Sequence, residues 1–463
     1  MSNVHAGQAV RPDHTRETLI LRKAFTRLIP FVIVMIFLSY VDRANLAILA
    51  GPIDASLGMS ATAFGFATGL FFWGYVVFEI PSNIALMKFG SRTWLARIMV
   101  TWGLITGLMF FAQNEVHFGI LRFLLGVAEA GLSPGLLLFI TMWFPRSRQA
   151  RPLSFFQISI PFAMIFGSLL TASLLRVFEG VAGSEGWRWV FLAEGALTVV
   201  IGVVVFLTLP SKPSDAKWLT DDDAAYITAR IASEETTVTD SAEKLTEWQR
   251  IVRTMRSGKA WYLSLTYLAM LTGFWAITFF LPQIIAEGFG TSAVNSGFLS
   301  AIPWVFALVS ILIVSRIAKG TTRPHLYLFT LLAMGAAGLV LTAVTDNPFA
   351  GLVGLTAALC GVQASLPLFY RLQTSLFTGV MTAVLLALVN SVGNFGGFIG
   401  PSIFGYSKDN LGGDGPALFI MASFLVLAAL ATLFSRQVLG TAGRVEAAPP
   451  ASREDELTAS ATR

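Results

Sequence analysis

Charged residues are scarce. Asp, Glu, Lys and Arg make up 13% of the 463 residues, about half the share of an ordinary soluble domain. A single cysteine, Cys360, lies inside an apolar run, which excludes an internal disulfide and a cysteine-rich metal site. Histidine is equally sparse: His5 and His14 fall near the start, His117 and His325 at expected helix ends, and their spacing suggests no metal site. The first 27 residues are polar and lack an apolar stretch followed by a small-residue cleavage site, so no signal peptide is read there. Residues 393–400 are glycine-rich but have neither a preceding strand nor a Gly-Lys-Ser/Thr ending, so close helix packing is the better reading than a phosphate loop. With no nucleophile–base pair or metal-ligand cluster, no enzyme activity and no cofactor are expected.

Hydrophobic residues fill 55% of the chain, and the mean hydropathy is +0.69. A membrane helix needs about 20 mostly apolar residues. Six such runs precede residue 210, at 28–50, 62–86, 94–112, 116–142, 153–176 and 188–209. Six more follow, at 260–285, 294–316, 324–344, 349–372, 379–405 and 416–436. The expected fold is therefore all-α and membrane-embedded, with twelve spans in two halves, 28–209 and 260–437. A linker covers 210–259, with short amphipathic helices around Trp218 and Trp248 and charge runs that read as solvated faces. A tail covers 1–27, and a disordered one covers 438–463.

The net charge of +5 does not imply nucleic acid, because the basic residues sit between apolar runs. Lys and Arg gather in alternate loops: Arg22, Lys23 and Arg27; Lys88 and Arg92; Arg146, Arg148 and Arg151; Arg316, Lys319 and Arg323. The other loops, 51–60, 113–116, 178–186, 286–293 and 346–348, have neither, and Lys408 alone breaks the pattern. By the positive-inside rule both tails and the linker face the cytoplasm, as in a multi-pass protein of a bacterial inner membrane. Two weak internal echoes link the halves: Gly126-Val127 with Gly361-Val362, and Thr68-Gly69 with Ser296-Gly297. Such halves place a substrate site between them near the midplane.

One stretch stands out within the first run, Tyr40-Val41-Asp42-Arg43-Ala44-Asn45. Charges at the centre of a membrane helix cost roughly 2.5–3.5 kcal/mol each, so they mark a water-filled site or an ion pair snorkelling at the membrane edge. In the fourth run Arg122 and Glu129 are seven residues apart, about two helical turns, and share a face. They form either part of a site or a permanent pair stiffening that helix.

The chain resembles the major facilitator superfamily and, within it, the anion:cation symporters, proton-coupled carriers of galactonate, glucarate, tartrate and phthalate. The resemblance covers about residues 22–436. It rests on Tyr40 to Leu46, Glu79-Ile80-Pro81-Ser82-Asn83, Arg122 to Gly131, and Gly186-Trp187-Arg188-Trp189-Val190-Phe191. Ala216 to Thr220, Phe280 to Ile285 and Gly393 to Pro401 match too. There are three departures. The superfamily loop motif keeps Lys88, Gly90 and Arg92 but has Asn83 for its glycine and Met87 for its acid, so its gating salt bridge lacks the usual acid. The family's Phe-Trp pair is Phe369-Tyr370, followed by Arg371. The glycine-proline motif of many antiporters is missing from 157–175, which favours symport.

The resemblance implies that the faces bearing Asp42, Arg43, Arg122 and Glu129 line the central cavity, and the chemistry of these residues makes Arg43 and Arg122 the expected anion grip and Asp42 and Glu129 the expected proton-coupling acids. A guanidinium fork matches a carboxylate. An arginine beside an acid favours its ionised form, so an anion that takes the arginine leaves the acid free to bind a proton. Tyr75, Tyr370, Asn390 and Asn394 match site-lining positions, and Gln157 is a further polar candidate. Arg371 is either a third cation for a dicarboxylate or a topogenic charge. Glu79 and Glu194 read as structural, Glu194 pairing with Arg188. The expected function is import of a small organic anion (sugar acid, tartrate-like diacid or aromatic carboxylate) by proton symport through alternating access. An exchanger or efflux carrier is the alternative. The expected partners are the anion, the proton and the bilayer, with the protein a monomer.

Overall fold

The computed structural model describes residues 14–239, 247–318, 321, 323–374 and 380–439. Its α-helices in chain order are α1 (His14–Leu57), α2 (Ala61–Phe89), α3 (Ser91–Leu108), α4 (Glu115–Glu129), α5 (Leu132–Trp143), α6 (Ala150–Phe178), α7 (Gly186–Thr208), α8 (Asp221–Thr239), α9 (Glu247–Met255), α10 (Gly258–Phe289), α11 (Ala293–Ile317), α12 (Pro324–Val344), α13 (Pro348–Thr374), α14 (Val380–Asn394), α15 (Gly396–Asn410) and α16 (Asp414–Leu439). No strand occurs among the described residues. Twelve segments are long and apolar enough to span a membrane, with α4 and α5 together making one and α14 and α15 another. They fall on the twelve apolar runs. A chain in hydrocarbon must satisfy its own backbone N–H and C=O groups, and a helix does so within one segment.

Local chemistry sets the helix ends. The Ser60 hydroxyl accepts from Ala63 N at the start of α2, and Asn114 Oδ1 accepts from His117 N at the start of α4. Gly290, at φ +58°, closes α10 in the left-handed conformation that glycine adopts without strain.

The first helix begins at His14, so the polar stretch 14–27 is not a tail. Its Glu17 is buried between Arg148 and Arg230, each 3.3 Å away. In the linker α9 covers Trp248 as expected, but Trp218 lies in a turn ahead of α8 rather than in a helix. Its indole stacks on Trp143 at 5.6 Å, with the Arg27 guanidinium over it at 5.0 Å. The acidic runs of α8 are not simply solvated either. Asp223 pairs with Arg16 at 2.8 Å, and Glu234 accepts from the Ser147 hydroxyl at 2.8 Å, fastening α8 to the first half. Lys319 and the stretch from 440 onward lie outside the described residues, as does the expected disorder there.

The halves meet closely at the end away from the linker. Carbonyls of α15 and α2 sit where side chains of Gly65 and Gly405 would be, so these helices touch backbone to backbone. Phe64 meets Phe280 at 5.9 Å, Phe72 meets Trp275 at 4.9 Å, and Trp73 meets Phe395 at 5.0 Å. Thr62 donates both N–H and hydroxyl to Asp409 Oδ2, at 2.7 and 2.6 Å, and Gln283 Nε2 donates to Asp54 at 3.1 Å. The echo of Thr68-Gly69 in Ser296-Gly297 has a physical counterpart here. Gly69 packs on Phe398 of the other half, and Gly297 packs on Ala172 and Ile48. The Gly126–Gly361 echo has none, since Gly126 packs on α2 and Gly361 on α12, each within its own half.

Candidate transport site

Successive residues on a helix point about 100° apart, and α1 uses this to send Arg43 and Asp42 into different surroundings. Arg43 is 6% exposed and faces the meeting of the halves. Its Nη1 donates to the Ser39 carbonyl and hydroxyl, both at 2.6 Å, and its Nη2 donates to Glu129 Oε1 at 2.9 Å. The Ser39 hydroxyl donates in turn to the same Glu129 oxygen at 2.6 Å. Three rings surround the guanidinium, Tyr40 at 4.7 Å, Phe71 at 5.1 Å and Trp275 of the second half at 5.9 Å.

Arg122 of α4 lies over the same Phe71 ring, also at 5.1 Å, and is 1% exposed. Its Nε and Nη2 have no hydrogen-bond partner among the described residues, nor has Nε of Arg43. The fixed Arg122–Glu129 pair is therefore absent: Glu129 takes its salt bridge from α1.

Glu129 is the last residue of α4, and the fourth run is not one helix. Ala130 turns extended, and Gly131 is left-handed at φ +83°. A methyl group on Gly131 would lie 2.5 Å from the Ser82 hydroxyl oxygen, so this position needs glycine. Pro134, which has no N–H to give Ala130, is the sequence signal for the break. The eleventh run changes only slightly at Phe395 between α14 and α15, where the backbone stays right-handed helical. A helix broken as the fourth run is borders substrate sites in transporters.

Asp42 faces away from this pair. Its carboxylate accepts from the Trp102 indole N–H, from Thr106 Oγ1 at 3.1 Å and from Asn45 Nδ2 at 3.4 Å. The Asn45 amide also donates to Glu194 of α7, whose other oxygen accepts from Thr171 at 3.2 Å. Glu194 thus belongs to this buried group and does not pair with Arg188. Arg188 pairs instead with Glu185 at 2.6 Å and donates to the carbonyls of Phe110 and Ala112.

In the second half the Tyr370 hydroxyl donates to Asn390 Oδ1 at 3.2 Å and lies 3.1 Å from the Tyr267 hydroxyl. Tyr75 is buried one turn past Phe71, the rings 5.9 Å apart. The remaining candidates are not drawn in. Asn394 ends α14. Gln157 is exposed on α6. Arg371 donates to the carbonyl of Ala318 at the C-terminus of α11, 3.4 Å away, a place that fits the topogenic alternative. Ser39, Asn45, Tyr267 and Trp275 were not among the sequence candidates. Ser39 was legible as the residue one turn before Arg43, whereas Tyr267 and Trp275 carried no local signal.

The Major Facilitator Superfamily profile matches residues 32–401. The chain belongs to that superfamily. Two proteins of Agrobacterium vitis provisionally named tartrate transporters are 36% and 35% identical, the first over 90% of this chain and 91% of its own length, the second over 93% and 98%. A quinolone resistance transporter of Acinetobacter baumannii is 34% identical over 89% of this chain and 94% of its own. The crystal structure of a D-xylose-proton symporter superposes with a TM-score of 0.70 at 15% identity, covering 91% of this chain and 99% of that one, which shows a shared fold. This major facilitator protein is a multi-pass membrane transporter of a small substrate and not an enzyme.

Proposed function

We propose that the protein imports a small organic anion by proton symport, with Arg43 and Arg122 as the anion seat and Glu129 as the coupling acid. The observation that carries this is Arg122, a guanidinium 1% exposed whose Nε and Nη2 lack partners among the described residues, beside a second arginine whose salt bridge is to a carboxylate that can be displaced. An unpaired buried cation is costly, and a substrate carboxylate relieves that cost by accepting two parallel hydrogen bonds. As the anion draws Arg43 away, Glu129 loses its counter-ion and takes up a proton, so anion and proton bind with positive, reciprocal coupling. Tyr370, Asn390 and Tyr267 offer hydroxyl and amide groups to the rest of the substrate. Tyr75 and Trp275 offer apolar walls. The names of the Agrobacterium relatives favour a tartrate-like diacid.

The linker-side loops carry most of the Lys and Arg, which supports a cytoplasmic linker. The test is uptake of labelled organic acids into proteoliposomes with and without an inward proton gradient. Accumulation of one acid, abolished by a protonophore, is expected. Equilibration indifferent to the gradient would refute proton coupling. The relative named for quinolone resistance favours a second reading, export of amphipathic compounds, which predicts gradient-driven loss of such compounds from the same liposomes.

A further inference from the structure

The first half contains a second buried acidic group, set apart from the Arg43–Glu129 pair. Asp42 is 5% exposed and Glu194 is 4% exposed, and both accept from the one Nδ2 of Asn45. The crossing of α3 and α7 draws Glu194 into this place. Gly103 and Gly195 bring the two backbones together so closely that a methyl on Gly103 would lie 2.7 Å from the Gly195 carbonyl oxygen. Glu194 of α7 and Trp102 and Thr106 of α3 are buried beside this contact.

The donors are unequally divided. Asp42 accepts three hydrogen bonds, from Trp102, Thr106 and Asn45, whereas the side chain of Glu194 accepts two, from Asn45 and Thr171. The charged groups acting on Asp42 are Glu129 and Arg122 of α4 besides Glu194. Among the described residues Glu194 has only the like charge of Asp42 before it and no cation. Two carboxylates bound to one neutral amide in an apolar bundle cannot both stay ionised. The negative charge belongs where three donors stabilise it, with Arg122 offsetting part of the like charge of Glu129.

We propose that Asp42 and Glu194 hold a single proton between them, resting on Glu194, so that neutral Glu194 is a positioning residue that fixes Asn45 and keeps Asp42 as the ionised base of the first half. This rests on the proton-coupled reading only for its use in transport; the protonation itself stands without it. The O–H bond remains on Glu194, and the group carries one negative charge.

The experiment is infrared spectroscopy of the purified full-length protein in liposomes at neutral pH, without substrate or gradient, comparing wild type, Glu194→Gln and Asp42→Asn. The wild type is expected to show the carbonyl stretch of a buried protonated carboxylic acid, which Glu194→Gln removes. In Asp42→Asn that band persists, moved in frequency because the neighbouring charge is gone. In uptake assays Glu194→Gln, a neutral isostere, is expected to keep the pH profile of the wild type. A spectrum unchanged by Glu194→Gln overturns the proposal, because Glu194 would then be ionised. So does a Glu194→Gln protein that transports with a displaced pH profile, because Glu194 would then exchange its proton during the cycle. Absence of proton coupling in the wild type refutes the symport reading alone, since the infrared difference is read without transport.

Discussion

Replacing Glu129 by Gln removes a charge while keeping the volume, and the geometry fixes what should follow. In the wild type Glu129 Oε1 receives Arg43 Nη2 at 2.9 Å and the Ser39 hydroxyl at 2.6 Å, at a site 1% exposed. Removing one partner of a buried ion pair costs about 3–5 kcal/mol. The Gln carbonyl still accepts one of these bonds, so a loss near the lower figure is expected in the unliganded protein. Arg43 then has no internal competitor for an anion. A hydrogen bond to a charged group is worth about 1.5–3 kcal/mol, and each 1.4 kcal/mol is about tenfold in affinity. The substrate anion should therefore bind roughly tenfold to a hundredfold tighter to Glu129→Gln than to wild type and should restore much of its thermal stability. Exchange of labelled for unlabelled anion should continue, while accumulation driven by a proton gradient should be lost. Counterflow in proteoliposomes reads the affinity, and uptake against a gradient reads the coupling. Wild-type accumulation in the variant, or weaker anion binding with the same melting temperature, would refute the displacement of Glu129 by substrate.

Further outcomes follow from the same geometry. Arg122→Lys keeps the charge but loses the planar fork, so the apparent KM in uptake should rise at least about tenfold. Asp409 caps the start of α2 from the opposite half, and caps are worth about 1 kcal/mol. Asp409→Ala should therefore shift the carrier about fivefold toward opening at the end away from the linker. In a Cys360→Ser background, faster labelling of a cysteine placed at Gln283 by a membrane-impermeant reagent would report it, and an unchanged rate would count against the gate. At the edge of α7, hydrogen bonds from Arg188 and Ser56 hold the Glu185 carboxyl below the usual carboxylate range. A depressed folded pKa gives stability that is present above the unfolded value and lost as pH falls through the folded one. The melting difference between wild type and Glu185→Gln should accordingly be full at neutral pH and fade in acid, and a difference independent of pH would contradict this.

The spans were legible because the constraint behind them is local. Each segment must be apolar over about 20 residues and satisfy its own hydrogen bonds, and both conditions are written in consecutive residues. For the same reason Arg43, Arg122 and Glu129 stood out, as charges that hydrocarbon does not tolerate alone. Which charge meets which was not local. Spacing on one helix suggested Arg122 with Glu129, whereas the rotation of α1 and the break at Gly131 give Glu129 to Arg43 and leave Arg122 open. Adjacency grouped Asp42 with Arg43, but the glycine crossing of α3 and α7 draws Asp42 to Trp102, Thr106 and, through Asn45, to Glu194. Arg371 lay beside a site residue in sequence and is occupied by the end of α11 in space. The sequence by itself determined how many times the chain crosses the membrane and which polar groups enter it. Only the tertiary structure decided their partners, because that depends on how helices far apart in sequence turn and cross.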